Sequence, residues 1–319
     1  MIINTGQRTD IPAFYSAWFC ERLKEGYVLV RNPYDPTLVT RYVLSPEVVD
    51  CVGFCTKDPS PMLPHMKLLE PYGQFWYVTI TPYGREIEPN VPGKKAALES
   101  FRRLSDIVGP HRVGWRYDPI FLSDDYPVER HVRAFEYMAR ALEGYTHIVV
   151  ISFIDLYEKT KRNFPGVKVV AKEDRLVLGK ALVEIAAAHG MTVKPCAEGD
   201  ELAPYGADCS GCMTVADYER AVGERLKVPG HAPARDACAC YLSCDIGAYN
   251  TCGHLCKYCY ANYNARAVQA NRRAHDPASP LLIGHLRPED RVRPANQKSW
   301  IDGQISMLDQ DPMAGPVLP

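Results

Sequence analysis

The sequence predicts an α/β fold: a full or partial (β/α) barrel of the TIM type carrying a C-terminal cysteine-rich iron–sulfur segment. Three observations lead there. Short β-rich runs alternate with helical patterns as far as Pro195. Several of those runs, YVLV and IVVISF among them, are apolar throughout, as strands of a parallel sheet covered on both faces must be. From Cys196 to Ala261 the chain changes character, becoming crowded with cysteine and short of strand-like runs.

The elements follow in order. Strands are expected at Met1–Thr5, Tyr27–Arg31, Val49–Cys55, Phe75–Thr81, Arg112–Tyr117, His147–Phe153 and Met191–Pro195. Helical patterns fall at Pro12–Lys24, Pro92–Val108, Val128–Leu142 and Leu176–His189. In Val128–Leu142 the residues Val132, Phe135, Met138, Ala139 and Leu142 recur at three- and four-residue steps and form one apolar face. Thr214–Leu226 is a further amphipathic helix, with Thr214 placed to cap it. Seven strand–helix units favour the barrel, and a doubly wound open sheet is the second architecture they allow. The domains then read as a barrel over 1–196, a cluster-binding segment packed on it over 197–276, and a tail over 277–319 that wraps or frays.

Composition bounds the function. Over 319 residues, hydrophobic residues make up 46% and charged ones 24%, as in an ordinary soluble globular protein. Lys and Arg number 37 against 38 Asp and Glu, so no global field draws nucleic acid or an anionic membrane. The longest apolar runs are strand-length, far below the roughly 20 residues of a membrane span. The opening MIINTGQRTD has no basic stretch leading into an apolar one, so a cytoplasmic location is expected. No Walker loop, G-x-G-x-x-G, G-x-S-x-G or H-E-x-x-H occurs.

Polar residues gather just after the expected strands: Arg8, Thr9 and Asp10; Thr56 and Lys57; Arg116 and Asp118; Asp155; Glu198. In an α/β barrel the carboxyl ends of the strands form the active-site face. Arg8, Asp10, Arg116 and Asp118 are therefore the candidates for lining a cofactor or substrate pocket. Any one of them alone is equally an ordinary polar loop residue.

The cysteines break the ordinary picture. There are twelve, and six of them lie between Cys238 and Cys259. A large chain without an export signal is a poor disulfide scaffold, so metal ligation is the better reading. The central motif is Cys252-Gly-His-Leu-Cys256-Lys-Tyr-Cys259, with C-x3-C-x2-C spacing. Three thiolates on one tight loop suit three irons of a [4Fe–4S] cluster and leave the fourth iron open. A structural zinc site wants four closed ligands and would have to recruit His254 or Cys244.

This motif, with the aromatic Tyr258 before its last cysteine, resembles the signature of the radical S-adenosylmethionine superfamily. The resemblance implies that Cys252, Cys256 and Cys259 hold the cluster, that its open iron chelates S-adenosylmethionine, and that Tyr258 lies near the adenine. Reductive cleavage of the cofactor then gives a 5′-deoxyadenosyl radical that takes hydrogen from substrate. The stretches TGQRTDIPAFYSAWF, GYVLVRNPYDP, TPYGREIEPNVP, WRYDPI, VISFIDLY and DIGAYNTCGHLCKYCYAN extend the likeness to a bacterial family of unknown function. Its cysteine-rich C-terminus is likened to that same cluster. In this chain the loop follows the last strand rather than the first, and no Gly-Gly-Glu signature is present. The family likeness also implies a second, auxiliary [4Fe–4S] cluster on Cys196, Cys212, Cys238 and Cys240. A small-molecule substrate or a reductant protein is the partner expected, with no membrane, and the near-neutral charge argues against nucleic acid. A non-catalytic iron–sulfur protein for electron transfer or redox sensing, or a structural zinc protein, is the alternative.

Overall fold

A computed structural model describes residues 1–230, 238, 240, 241 and 243–302. Strand β1 (Ile2–Asn4) leads through two short helices, α1 (Ile11–Phe14) and α2 (Ser16–Glu25), into a hairpin of β2 (Tyr27–Arg31) and β3 (Leu38–Val43). The chain then runs through β4 (Cys51–Thr56), β5 (Gly73–Thr79), α3 (Lys94–Val108), β6 (Val113–Ile120), α4 (Val128–Leu142) and β7 (Ile148–Phe153). Next come α5 (Glu158–Asn163), α6 (Lys172–Ala188), β8 (Thr192–Pro195), α7 (Val215–Val222), β9 (Cys244–Asp245), α8 (Ala265–Arg273) and β10 (Arg291–Pro294).

Seven strands form one parallel sheet in the order β8-β7-β6-β5-β4-β1-β9. From β1 to β8 the order steps in one direction, without the reversal that defines a doubly wound sheet. Same-handed crossovers of this kind put their helices on one face, where α3 packs on α4 and α4 on α6. Among the described residues no pairing joins β8 to β9, so the sheet has two edges. Tyr27–Arg31, expected as a strand of this sheet, instead pairs antiparallel with β3, and β10 adds to β3 in parallel. The reason lies in the linker from Asn32 to Thr37: it is too short for the crossover that a parallel neighbour requires, so a hairpin forms.

Alternation along the strands sorts the two faces. On the helix-covered face Phe54 stacks on Trp76 at 3.7 Å and Trp115 on Phe135 of α4 at 4.6 Å. The opposite face carries Asn4, Gly53, Phe75, Gly114 and Lys194, and helix α7 packs against it. Tyr218 of α7 is buried beside Phe75, and its hydroxyl accepts a hydrogen bond from Asn4 Nδ2 at 3.1 Å. Gly53 has no side chain because a Cβ there would meet Asn4 at 2.7 Å and Tyr218 at 3.2 Å. The buried Lys194 ammonium binds both oxygens of Asp217 at 2.9 and 3.0 Å, fixing α7 to β8. Thr214 caps α7 as expected, in a reciprocal capping box with Asp217. The lower half of this face is thus filled by a helix, and the upper half, at the carboxyl ends of the strands, is left for a cavity.

Residues 277–302 of the tail wrap the molecule. Trp18 donates to the Ser279 carbonyl at 2.8 Å, and the Trp300 amide donates to the Asp50 carboxylate, which also receives the N-terminal ammonium of Met1. The remainder of the expected tail, 303–319, lies outside the described residues. No helix among the described residues is long and apolar enough to cross a membrane.

Candidate metal and substrate site

A cavity of about 510 Å³ opens at the carboxyl ends of the strands. Its walls come from the turns after β1 (Gly6–Asp10), β4 (Thr56, Lys57), β6 (Asp118, Pro119) and β7 (Ile154, Asp155), and from Cys196 after β8. The C-terminal segment closes it with Cys212, Cys238, Cys240 and the loop from Cys252 to Ala261. All twelve residues expected at the site line this one cavity: Arg8, Asp10, Arg116, Asp118, Tyr258, Cys196, Cys212, Cys238, Cys240, Cys252, Cys256 and Cys259.

The C-x3-C-x2-C loop is fixed by its spacers. His254 is buried, its Nε2 2.9 Å from the Asp10 carboxylate and its Nδ1 3.2 Å from the Asn90 carbonyl. Asn90 Nδ2 donates to the Gly253 carbonyl at 2.8 Å, and Asn262 Nδ2 to that of Cys252 at 2.9 Å. Leu255 lies in the left-handed region at φ 56°, which bends the three-residue spacer back on itself. Gly253 is required by packing, since a Cβ there would run into the Arg272 guanidinium and the Phe14 ring. The loop is therefore held by backbone and spacer contacts, and its three cysteines line the cavity.

Burial pushes the Cys252 thiol well up, that of Cys256 to about 12 against the pull of Lys57, and that of Cys259 upward. Such thiols stay protonated unless a metal cation takes the proton's place. As donors they suit a soft, thiophilic centre.

The predicted polar residues divide by role. Asp10 is saturated: it caps α1 by accepting from Ala13 N at 3.1 Å and also accepts from Thr56 Oγ1 and Lys57 N, each at 2.7 Å. With His254 as a further partner, it anchors the cavity floor. Arg116 forms an ion pair with Asp118, and its Nη1 approaches Cys212 Sγ at 3.9 Å. Arg8 lies over the Tyr249 ring at 5.7 Å. The Tyr258 hydroxyl donates to Glu88, and its ring faces Lys57 at 5.6 Å and Tyr83 at 6.0 Å.

Sequence reasoning did not single out Glu88 or Asn90, and it named His254 only as an alternative zinc ligand, not as the partner of Asp10 that the structure makes it. Glu88 is buried and accepts from Lys57 at 2.9 Å, Lys94 at 3.0 Å and Thr81 at 2.7 Å. Burial alone would raise this carboxyl; the two ammonium groups and the hydroxyl donors outweigh it and hold it down at about 2. Lys57, just after β4, was visible only as one polar residue among several. Thr9 Oγ1 and Gln7 Nε2 border the cavity, buried and without a hydrogen-bond partner.

The second cysteine set is brought together in part. Cys212 Sγ lies 3.3 Å from Cys196 Sγ and 2.9 Å from Cys240 Sγ, and all three sulfurs fall within 4.8 Å of one another. Cys238 lines the same cavity but stands outside that trio. Cys20 and Cys51 are core residues, whereas Cys55 is only partly buried against the core and lines the cavity. All twelve cysteines are free thiols.

The model of one family, described as a domain of unknown function (DUF1848), matches residues 2–261, a span that holds every cysteine of the chain. No curated protein matches the chain.

Proposed function

We propose that this chain, which belongs to the DUF1848 family, is an iron–sulfur enzyme of the radical S-adenosylmethionine type acting on a small molecule. In this reading the parallel sheet is a partial barrel whose interior is shared between α7 below and the reaction chamber above. The observation that carries the reading is the placement of Cys252, Cys256 and Cys259: one loop brings three cysteines, Cys256 buried and the other two partly so, to a cavity at the carboxyl ends of the strands. That is where α/β barrels do their chemistry.

Cys252, Cys256 and Cys259 would hold a [4Fe–4S] cluster with one iron left free of protein ligands. When bound, that cluster supplies the electron for reductive cleavage of S-adenosylmethionine. The chain's own residues do the rest. Lys57, Arg8 and Arg116 present cations to anionic groups of cofactor or substrate. Thr9 Oγ1 and Gln7 Nε2 offer a buried acceptor and donor that a bound polar molecule would satisfy. Tyr258 is kept in one orientation by Glu88, giving a fixed ring against which a planar group can rest. The cysteine loop and Tyr157, just before α5, border the cavity. Twelve free thiols suit the reducing cytosol, with a reductant protein as electron source.

The test uses protein purified and reconstituted without oxygen. Iron and sulfide are counted, then dithionite and S-adenosylmethionine are added and 5′-deoxyadenosine is assayed beside a Cys252/Cys256/Cys259 triple-alanine variant. About four irons lost in the variant, with nucleoside from the wild type alone, is the expected result. Iron without nucleoside leaves an electron-transfer or redox-sensing protein. Arg116→Ala should weaken cofactor or substrate binding at unchanged iron content; full retention of activity removes Arg116 from the pocket.

A further inference from the structure

We infer that Cys196, Cys212 and Cys240 form a separate single-ion site for a thiophilic divalent metal, zinc by its donor chemistry, with one coordination position open to the cavity for the sulfur of a thiol ligand. The inference does not rest on the iron–sulfur reading of the opposite wall.

The spacing of the sulfurs decides the nuclearity. Ligands of one tetrahedral zinc, at Zn–S of about 2.3 Å, sit about 3.8 Å apart. The trio, with separations of 3.3 and 2.9 Å and every pair within 4.8 Å, converges at that scale. Cys252, Cys256 and Cys259 do not all meet within 4.8 Å. Thiolates that each bind their own iron of a cluster stand farther apart than thiolates sharing one ion. The two sets therefore differ: the sulfurs of the trio converge on one point, as the ligands of a single ion do, and those of the loop do not.

The trio is also preorganised. Cys196 directly follows β8, and Cys212 precedes α7, which the Lys194–Asp217 pair fixes to that same strand. The Tyr77 hydroxyl donates to the Cys212 carbonyl, and Tyr241 N donates to the Met213 carbonyl at 2.8 Å, bringing in the segment of Cys240. The three side chains are 6%, 2% and 4% exposed, yet they border the cavity. Three thiolates and a dication leave a fourth position, as open zinc sites do. Cys238 borders the chamber without joining the group. A thiolate-rich ion favours a soft donor, and Arg116 Nη1, 3.9 Å from Cys212 Sγ, offers a cation beside the added negative charge. A thiol binding here gives its proton to solvent and its sulfur to the metal.

The experiment is zinc stoichiometry and zinc-edge X-ray absorption on the intact chain, with and without 2-mercaptoethanol. Iron is counted separately, so a failure here is distinct from a failure at the C-x3-C-x2-C loop. One zinc per chain, with three sulfurs and one light atom that becomes a fourth sulfur on adding the thiol, is expected. Cys212→Ser should weaken zinc binding at least about tenfold, while Cys238→Ala and Cys209→Ala leave it unchanged. Four sulfurs before any thiol is added, loss of zinc in Cys238→Ala or Cys209→Ala, iron and sulfide at the trio, or a Cys212–Cys240 disulfide in place of zinc would each overturn the inference. If Cys212→Ser does not fold, the sulfur count in the wild type decides alone.

Discussion

His254 Nε2 lies 2.9 Å from the Asp10 carboxylate, so the centre of the cysteine loop is tied to the turn after the first strand across 244 residues of chain. Asp10 also accepts from Ala13 N, Thr56 Oγ1 and Lys57 N. Asp10→Ala leaves the buried Thr56 hydroxyl and the part-buried Ala13 and Lys57 amides without this acceptor, at about 1–3 kcal/mol each where water cannot reach them. A loss of at least about 3 kcal/mol in urea denaturation is expected, together with impaired metal loading at the loop. A variant within about 0.5 kcal/mol of wild type, an ordinary surface effect, would show that the anchor is dispensable.

The Lys194–Asp217 pair is buried on both sides, at 4% and 0% exposure. Lys194→Met takes the buried cation from Asp217 and leaves its carboxylate to Thr214 and to the surface Arg220 at 3.4 Å, so the loss should lie toward the low end of the about 3–5 kcal/mol that breaking a buried pair costs. A double-mutant cycle with Asp217→Asn should return a coupling of about 2 kcal/mol or more, within the range for contacting residues. Asp217→Asn carries an extra loss because Asp217 also completes the cap of α7. Coupling near zero would mean that α7 is held on the sheet by apolar packing and the Asn4–Tyr218 hydrogen bond, without the ion pair.

What the sequence disclosed depends on the range of the interaction. Helix α4 matches the expected Val128–Leu142 because its apolar stripe is local, and Thr214 caps α7 because capping is local too. The cysteine loop is legible from spacing for the same reason. Tyr27–Arg31 reads as a core strand, but its partner strand was missed, and so the hairpin was. The seating of α7 on the sheet depends on Gly53 meeting Tyr218 and Lys194 meeting Asp217, and neither pairing leaves a periodic trace. Glu88 and Tyr258 meet across 170 residues, which no motif records.

Asp245 gives a signed dependence on pH. Burial raises its carboxyl to about 6, against backbone hydrogen bonds from Gln7 and Gly247 and the charge of Arg8. The folded state therefore binds this proton where the unfolded chain has released it, and stability falls as pH rises from about 4 to 6. The shift corresponds to about 3 kcal/mol. His131, lowered to about 4 by burial, works in the opposite sense over an overlapping window, so the wild-type profile alone does not isolate Asp245. The difference between wild type and Asp245→Asn, followed by denaturation at pH 4, 5 and 6, does. A difference that stays level across that range would place the Asp245 titration elsewhere.

Glu88 supplies the reverse sign. Its carboxyl, held at about 2 by Lys57 and Lys94 in spite of burial, is ionised wherever the unfolded residue is. Its contribution is present above about pH 4.5 and is lost as pH falls toward 2. Glu88→Gln removes the only carboxylate these two ammonium groups share and leaves them facing each other below the cysteine loop. The cost at pH 7 should be about 1.5–3 kcal/mol, that of charge-assisted hydrogen bonds, because the two ammonium groups left behind are only partly buried. On acidification the wild type loses what the variant never had, so the two denaturation curves should converge toward pH 2–3. A gap of the same size at pH 7 and pH 3 would mean that Glu88 is held as a neutral acid, and that the cations beside the loop are balanced by its thiolates instead.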